Sequence, residues 1–441
     1  MAYTPANFQL MEEFPIESTV KWFIYVNSAG DTLQTMLGSA FISDAGKKRV
    51  AVGDMVHIIS QTAPYYYLAQ VSALQTSGTG ANAAYANTAT MQLPGGTGGS
   101  QVANFRNLLD GGDFTVNPWQ RGTTLPAVTG TTVTYTADRW FVAGQTTCSI
   151  TVSQQAVTNA TIQGAGFLDA LQFARTSGNS ATANLFLGQV LESADVYRTR
   201  GQYLTLSFWA LAGANYSPTT SPLAIVETGT AVNEGSTAAI GARYAGSVSG
   251  YTGLSTLLSA SFTPTTTWQQ FTFTTTTTVP LLAAEMAVLF SVSPVGTAGS
   301  ADYIQFAGVQ LEIGAQATPF EHRDVELELA LCNRYCFIIN EPTTATFIAT
   351  GQAFSATTAG ITIPLPTPMR TAPTITYTAG SFSVLATTGT PVLITSAGGQ
   401  THHTITAIGL QATVASGLLA GYATILGGSG GTGSIVASCD L

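Results

Sequence analysis

The sequence predicts a mainly β fold with a small α+β N-terminal domain, a central β-sandwich jelly roll and a small C-terminal β domain. Short stretches in which apolar and polar residues alternate recur along most of the chain, as in half-buried strands. They lack the helical spacers of βαβ units, which favours a sandwich or jelly roll over a parallel sheet. Turns rich in Gly, Pro and Thr separate these stretches, and the 441 residues include 45 glycines.

Residues 1–92 carry the pattern of a small α+β domain. Residues 32–41 predict a short helix, because their apolar residues share one helical face and Asp31 precedes them as a cap. Strands are predicted at residues 20–26, 50–59 and 65–74. The glycine-rich residues 93–104 predict a flexible linker that ends this domain.

The jelly-roll prediction covers residues 105–323. Residues 203–210 illustrate the pattern, with Leu204, Leu206 and Phe208 on one face of a strand and small polar residues on the other. Such strands bury one face in a core and leave the other for solvent or for a partner.

Residues 324–337 predict a connecting helix, and residues 338–441 predict a second, smaller β domain. This last domain contains only three charged residues, Glu341, Arg370 and Asp440. A surface so poor in charge predicts burial against sister chains in an assembly.

The composition argues against several classes of protein. Only 8% of residues are charged, the net charge is −9 and the pI is near 4.8, which disfavours a nucleic-acid partner. The strongest apolar run, residues 281–290, contains Glu285 and is too short for a bilayer, so no membrane insertion is predicted. No secretory signal is visible, and the four cysteines do not form a disulfide framework, which predicts synthesis in a reducing compartment.

Catalytic and metal-binding signatures are scarce, so the sequence predicts no enzyme and no cofactor. The histidines have no supporting catalytic motif, and no helix follows the glycine-rich residues 428–433 to cradle a phosphate. Carboxylates of the β domain form no recognisable pair, which leaves a glycan-cleaving groove between chains as an open alternative. His402 or His403 would bind a metal if it met its copies on a three-fold axis. Cys332 and Cys336, at helical spacing, are expected to pack in the core.

Aromatic side chains in loop-like segments offer a binding surface. Tyr and Trp faces stack on the apolar face of a pyranose, while Asn, Gln and Thr side chains bond its hydroxyls. The candidates are Tyr216, Tyr244, Tyr251 and Trp268. The competing interpretation places each of them in the sandwich core, where such residues are often buried.

Three stretches stand out for their order and spacing. They read Asn-Leu-Leu-Asp-Gly-Gly-Asp-Phe with Asn-Pro-Trp-Gln-Arg-Gly-Thr after it (107–123), Tyr-Thr-Ala-Asp-Arg-Trp (135–140), and Val-Gln-Leu-Glu through Asn-Arg-Tyr (309–335). Together they resemble bacteriophage virion appendage proteins of the tail-fibre and head-fibre kind. They bracket residues 105–336, about half of the chain.

The resemblance implies a jelly roll similar to carbohydrate-binding modules, followed by a trimeric tip domain. Some such modules hold a structural calcium near the opening stretch, which makes Asp113 a metal candidate, but Gly112 stands where the family usually has Asn. Cys336 likewise stands where an aromatic residue is more usual. Residues 31–56 resemble phage structural proteins, which implies that residues 1–92 anchor the chain to a particle.

The shared motif residues also have a purely structural interpretation. Asp138 and Arg139 predict a buried ion pair beneath the Trp140 indole, and Arg121 with Glu312 predicts a second pair. These five residues would lock the fold rather than bind a ligand.

The chain is therefore expected to be a non-enzymatic virion protein, either a tail fibre or a capsid-attached head fibre. The expected partners are its own copies in a homotrimer, capsid or tail proteins, and a host surface polysaccharide bound by the jelly roll. The expected location is the virion surface, after synthesis in the host bacterial cytoplasm. The alternatives are a capsid decoration protein without receptor binding, a polysaccharide depolymerase and, disfavoured by the missing signal, a secreted bacterial carbohydrate-binding protein.

Overall fold

The computed structural model describes residues 106–441 apart from short gaps, together with five strands that precede residue 93. The gaps are residues 131, 146, 219, 242–249, 342–345, 379–380, 386–388, 400–402 and 431–432. The chain divides into two compact units, residues 1–104 and 105–441. The finer division into the five segments named above stays a prediction.

The first unit contains a five-stranded sheet, sheet 1, whose strands follow in chain order. They are β1 (Phe8–Glu13), β2 (Lys21–Asn27), β3 (Met55–Ser60), β4 (Tyr66–Gln75) and β5 (Thr88–Gln92). Neighbours are antiparallel except β2 and β3, which are parallel. The three predicted strands coincide with β2, β3 and β4 to within a few residues, whereas the predicted helix at residues 32–41 lies outside the described residues.

Two six-stranded antiparallel sheets form a sandwich in the second unit. The strands are β6 (Thr124–Thr129), β7 (Thr134–Tyr135), β8 (Phe141–Gly144), β9 (Ser149–Ala156), β10 (Asp169–Arg175), β11 (Leu185–Leu191), β12 (Leu204–Ala212), β13 (Leu223–Gly229), β14 (Ser255–Ser261), β15 (Gln269–Thr274), β16 (Glu285–Val292) and β17 (Tyr303–Ile313). Sheet 2 has the order β15-β12-β17-β10-β9-β6, and sheet 3 has the order β14-β13-β16-β11-β8-β7. The chain crosses repeatedly between the sheets, as in a jelly roll. The mainly β class is confirmed.

Alternation along the strands builds the core between these sheets. Leu204, Leu206 and Phe208 all point into it, as their spacing predicts. The rings of Phe208 and Phe306 on sheet 2 meet Phe290 on sheet 3 with centroids 4.9 and 4.5 Å apart, respectively. These edge-to-face and tilted contacts fasten the two sheets to each other.

The described residues of the second unit contain four short helices outside the sheets. They are α1 (Ala160–Gly164), α2 (Ser193–Tyr197), α3 (Gly235–Gly241) and α4 (Val325–Asn333). The last of them lies within the predicted connecting helix but ends earlier, at Asn333. Cys332 is therefore on the helix while Cys336 opens the next strand; both thiols are buried, as expected, without sharing a helical face.

The C-terminal region contains a closed six-stranded barrel and a three-stranded sheet. The strands are β18 (Cys336–Asn340), β19 (Phe347–Ala353), β20 (Thr358–Pro364), β21 (Thr374–Tyr377), β22 (Phe382–Leu385), β23 (Pro391–Gly399), β24 (Ala407–Val414), β25 (Ala423–Gly428) and β26 (Ser434–Ser438). The barrel follows the order β19-β20-β24-β23-β22-β25, and the sheet follows β18-β26-β21. On β24, Ile408, Leu410 and Val414 fill the barrel at alternate positions.

Candidate functional site

The outer faces of the two sandwich sheets differ in what covers them. On sheet 3, Phe141, Phe186 and Ile225 point outward but are buried beneath α3 and Leu441. On the middle strands of sheet 2, the outward side chains at Gln172 and Gln305 are half-buried and reach solvent. Sheet 2 therefore offers a surface for binding.

Two tryptophans lie on this outer face. Trp209 follows the core residue Phe208 on β12 and so points to the opposite side of the sheet. Trp268 lies just before β15, the strand that pairs with β12. Both indoles are half-buried against a small apolar cluster that includes Phe167 and Ala307. The cluster supports the rings from below and leaves part of each ring accessible.

Glutamine side chains accompany the tryptophans. Gln270 pairs directly with Trp209 across the β12–β15 ladder. Gln172 and Gln305 are cross-strand partners, and the Gln305 amide nitrogen donates to the Gln172 side-chain oxygen at 3.0 Å. Each amide has two donors and two lone pairs, so this one bond leaves capacity for hydroxyl groups of a ligand. We call Gln172, Trp209, Trp268, Gln270 and Gln305 the tryptophan face.

An aromatic trio borders the apolar cluster beneath the face. The rings of Phe167, Phe320 and His322 have pairwise centroid distances of 5.0 to 5.1 Å. His322 Nδ1 lies 2.8 Å from the Asp113 carboxylate, and this hydrogen bond raises the pKa of the imidazole. The trio holds the segment after β17 against the sandwich.

Of the four aromatic residues predicted to contact a ligand, only Trp268 lies on the tryptophan face. Tyr251 is 4% exposed and packs into the cluster on sheet 3, so the prediction of a stacking surface there is wrong. Tyr216 is half-buried against the sandwich core, with its hydroxyl enclosed near Asp302. Tyr244 lies outside the described residues.

Trp209 is the residue that the sequence argument missed. It continues the alternation of residues 203–210, in which Thr205 and Ser207 mark the face opposite the core. Extending that pattern by one position would have placed a tryptophan among polar residues on an outward face. The alternation within β12 thus carries the signal for Trp209, whereas the loop-like segments do not contain it.

The predicted ion pairs form with different partners. Arg121 pairs with Asp138, at 3.7 Å, and more closely with Asp440. Arg139 pairs with Asp110, at 3.3 Å, and its guanidinium lies over the Tyr335 ring. The predicted Asp138–Arg139 pair is therefore wrong, because adjacent side chains diverge here: Arg139 has a left-handed φ of 72°.

Glu312 has no contact with Arg121 among the described residues, so that predicted pair is also wrong. Its carboxylate accepts hydrogen bonds from the backbone and hydroxyl of Thr318 and from the Gln310 amide. Trp140 is completely buried, and its indole donates to the Gly111 carbonyl at 3.0 Å. Glu312 thus holds the segment after β17 to that strand, and Trp140 holds the opening stretch of the sandwich.

The metal candidates do not converge on a site in the described part of the chain. The Asp113 carboxylate accepts from the Thr115 backbone N–H at 3.1 Å and contacts His322. His403 is half-buried, and His402 lies outside the described residues. No group of three or more His, Cys, Asp or Glu side chains placed to hold a metal ion occurs among the residues that the structure describes. Within the same residues, no helix has the length and hydropathy needed to cross a membrane.

No protein-family model matches the chain. No curated protein sequence matches it either. Among solved structures, the enzymatically active domain of tailspike protein 4 from bacteriophage CBA120 is 14% identical with a TM-score of 0.29, and covers 47% of this chain and 22% of its own. A family 4 carbohydrate-binding module is 17% identical with a TM-score of 0.23 (40% of this chain, 88% of its own). The xylan-binding CBM22-1 domain of Xyn10C from Paenibacillus barcinonensis is 14% identical with a TM-score of 0.24 (44% and 96%).

Proposed function

We propose that this protein binds carbohydrate through the tryptophan face of its sandwich. The observation that supports this most strongly is the pair of half-exposed indoles, Trp209 and Trp268, set beside three glutamines on an outward sheet face. Indole rings cover the apolar face of a pyranose, and the amides bond its hydroxyl groups. No charged side chain belongs to this face, which suits a neutral sugar.

Replacing Trp268 by Ala should weaken the binding of a neutral polysaccharide at least about ten-fold, because the variant loses most of one stacking surface. A glycan array with the full chain identifies the ligand, and affinity electrophoresis or titration calorimetry then measures the change. Tyr197→Ala serves as the matched control, since Tyr197 is 48% exposed and lies on α2, away from the face. Equal affinity of the Trp268→Ala and parent chains would contradict the proposal, provided that their melting temperatures agree.

We further propose that the protein is a non-enzymatic appendage of a bacteriophage particle and works as a homotrimer. Large apolar side chains of the barrel are exposed in a region with only three charged residues in its sequence, which favours contact with sister chains. They are Phe347, Phe354, Leu393, Leu419 and Tyr422. Sedimentation equilibrium of the purified chain measures the oligomer mass, and a monomer at micromolar concentration would refute the trimer.

Immunogold electron microscopy of phage particles tests the virion role, with antibody raised against residues 338–441. Gold at the tail supports a fibre that attaches to host glycan. Gold over the shell supports a head fibre or a capsid decoration protein. Unlabelled particles, with an antibody that recognises the denatured chain, would refute the virion role. A reducing-end assay on host polysaccharide tests the depolymerase alternative.

A further inference from the structure

Two adjoining cavities lie between the sandwich and the C-terminal region. Their volumes are about 260 and 320 Å³, and both are bordered by Glu192, Ala194 and Arg334. The larger cavity, which we call the Arg370 cavity, is open to solvent and is also lined by a sandwich loop at residues 232–233 and by Arg370 and Thr371. Its size is that of a small-ligand site, and it is separate from the tryptophan face.

The Arg370 cavity carries one positive charge in excess. Glu192 is its only carboxylate among the described residues, and both of its oxygens accept from Arg334, at 3.1 and 2.8 Å. Arg370 donates instead to the Cys439 carbonyl at 3.0 and 2.9 Å, and it forms no ion pair with any described carboxylate. In a chain of net charge −9, an uncompensated guanidinium in a cavity wall favours an anionic ligand.

The carboxyl group of Glu285 interacts electrostatically with Arg370 but forms no ion pair with it. Burial raises the pKa of Glu285, against the opposing effects of the Gly235 and Glu234 backbone N–H groups and of the Arg370 charge. The two Glu285 oxygens accept from the backbone N–H groups of Glu234 and Gly235, both at 2.6 Å. Glu285 thereby fixes the loop that brings Val232 and Asn233 to the cavity.

The remaining lining groups are those that recognise a hydroxylated ring. Ser193, Asn233 and Thr371 supply hydroxyl and amide groups. The Ser193 hydroxyl is itself buried and has no hydrogen-bond partner. Val232 is 53% exposed and offers an apolar contact for one face of a ring. A ligand that matches this wall has one negative charge, several hydroxyl groups and an apolar face.

The wall is held in place before any ligand arrives. The Arg370 backbone N–H donates to the Arg334 carbonyl at 2.8 Å, which joins the two arginine-bearing segments. Asn233 has a left-handed φ of 60°, a conformation that Asn tolerates better than most residues. Fixed donors lose little conformational freedom on binding.

We propose that the Arg370 cavity binds the carboxylate-bearing sugar of an acidic glycan, a hexuronate. This inference builds on the proposed carbohydrate binding and adds to it a second, charge-selective site. The carboxylate lies against the Arg370 and Arg334 guanidinium groups, and the ring hydroxyls bond Ser193, Asn233 and Thr371.

Titration calorimetry of the full chain with D-glucuronate, D-glucose and acetate tests this site. We expect glucuronate to bind, and glucose and acetate to bind at least about ten-fold more weakly. Glucose lacks the carboxylate, and acetate lacks the hydroxylated ring. Arg370→Gln should weaken glucuronate binding at least about ten-fold, and Arg370→Lys by less. Arg200→Gln is the matched control, since Arg200 donates to the Ala283 carbonyl outside the cavity.

Three outcomes would overturn the inference. Glucuronate and acetate of equal affinity would reveal a simple anion site, and equal affinity for glucose would remove the charge requirement. Unchanged glucuronate binding by a folded Arg370→Gln chain would place the ligand elsewhere. Trp268→Ala separates this inference from the proposed function: it should weaken the binding of neutral polysaccharide and leave glucuronate binding intact, so each proposal can fail alone.

Discussion

Replacement of Arg175 by Met is expected to lower the free energy of unfolding of the sandwich by about 4 kcal/mol. Arg175 and Asp302 form an ion pair at 2.8 Å, and each side chain is only 3% exposed. Without the guanidinium, the Asp302 carboxylate stays buried with hydrogen bonds from Ser217 alone. An uncompensated buried charge is among the most destabilising changes a single substitution can make.

The same guanidinium also ties together two connections of the sandwich. It donates to four backbone carbonyls, at distances of 2.8 to 3.2 Å. They belong to Asn179, Ala181, Val295 and Gly296. Two carbonyls lie in the β10–β11 connection and two in the β16–β17 connection, so the variant loses the link between them.

Urea denaturation at pH 7 measures the effect. Arg198→Met is the matched control, because Arg198 pairs with Asp195 at the surface, with side chains 45% and 42% exposed. Its loss should cost less than about 1 kcal/mol. The double variant Arg175→Met/Asp302→Leu should be more stable than Arg175→Met alone, since it also removes the buried Asp302 carboxylate that has lost its partner. An Arg175→Met chain as stable as the Arg198→Met chain would contradict the assignment.

The regular part of this fold follows from local patterns in the sequence. The alternation at residues 203–210 identified a strand and its core face, and the helix ending at Asn333 lies inside the predicted one. Such patterns repeat every two or 3.6 residues, so a single stretch contains the whole signal.

The partners of buried charges could not be predicted in this way. Arg175 meets Asp302 across 127 positions, and Arg121 meets Asp440 across 319. Asp138 and Arg139 are adjacent in the sequence, which suggests an ion pair. The backbone conformation nevertheless directs their side chains to different partners, Arg121 and Asp110. The sequence separation of two charged residues does not predict whether they pair in a sandwich, because the strand topology determines which residues become neighbours.

The tryptophan face depends both on a local sequence pattern and on contacts that the strand topology creates. The outward direction of Trp209 was predictable from the alternation of core and surface residues along β12. The pairing of Gln172 with Gln305 depends instead on the register of β10 and β17. The Arg370 cavity was not predictable at all. It needs Glu192 from the sandwich, Arg334 after α4 and Arg370 after β20 to meet in one place.

The acid groups of the second unit give a second large effect, on the pH dependence of stability. Burial raises the pKa of Asp138 to about 6, and the neighbouring Asp440 carboxylate adds to this against the opposing effects of the Gln120 N–H and Arg121. Burial also raises the pKa values of four other carboxyl groups. They are Asp169, Asp195, Glu285 and Glu328.

A carboxyl group with a raised pKa binds its proton more tightly in the folded chain than in the unfolded one. The free energy of unfolding therefore rises as the pH falls through the folded pKa of Asp138, about 6, towards its unfolded value of 3.8. His322 acts in the same direction: the stability from its contact with Asp113 is present below its unfolded pKa and is lost as the pH rises through the raised value.

We expect the free energy of unfolding to be higher at pH 4.5 than at pH 7.5, with about 2 kcal/mol of the difference due to Asp138. Urea denaturation at both pH values measures it. Asp138→Asn replaces the acid by a neutral side chain of the same shape, so the difference should shrink by about 2 kcal/mol in this variant. The exposed Asp324, at the start of α4, provides the matched control Asp324→Asn, which should keep the full difference. Equal pH dependence of the parent and Asp138→Asn chains would contradict the raised pKa: the Asp138 carboxylate would then stay charged at pH 4.5 in the folded chain, with Arg121 shared between two carboxylates.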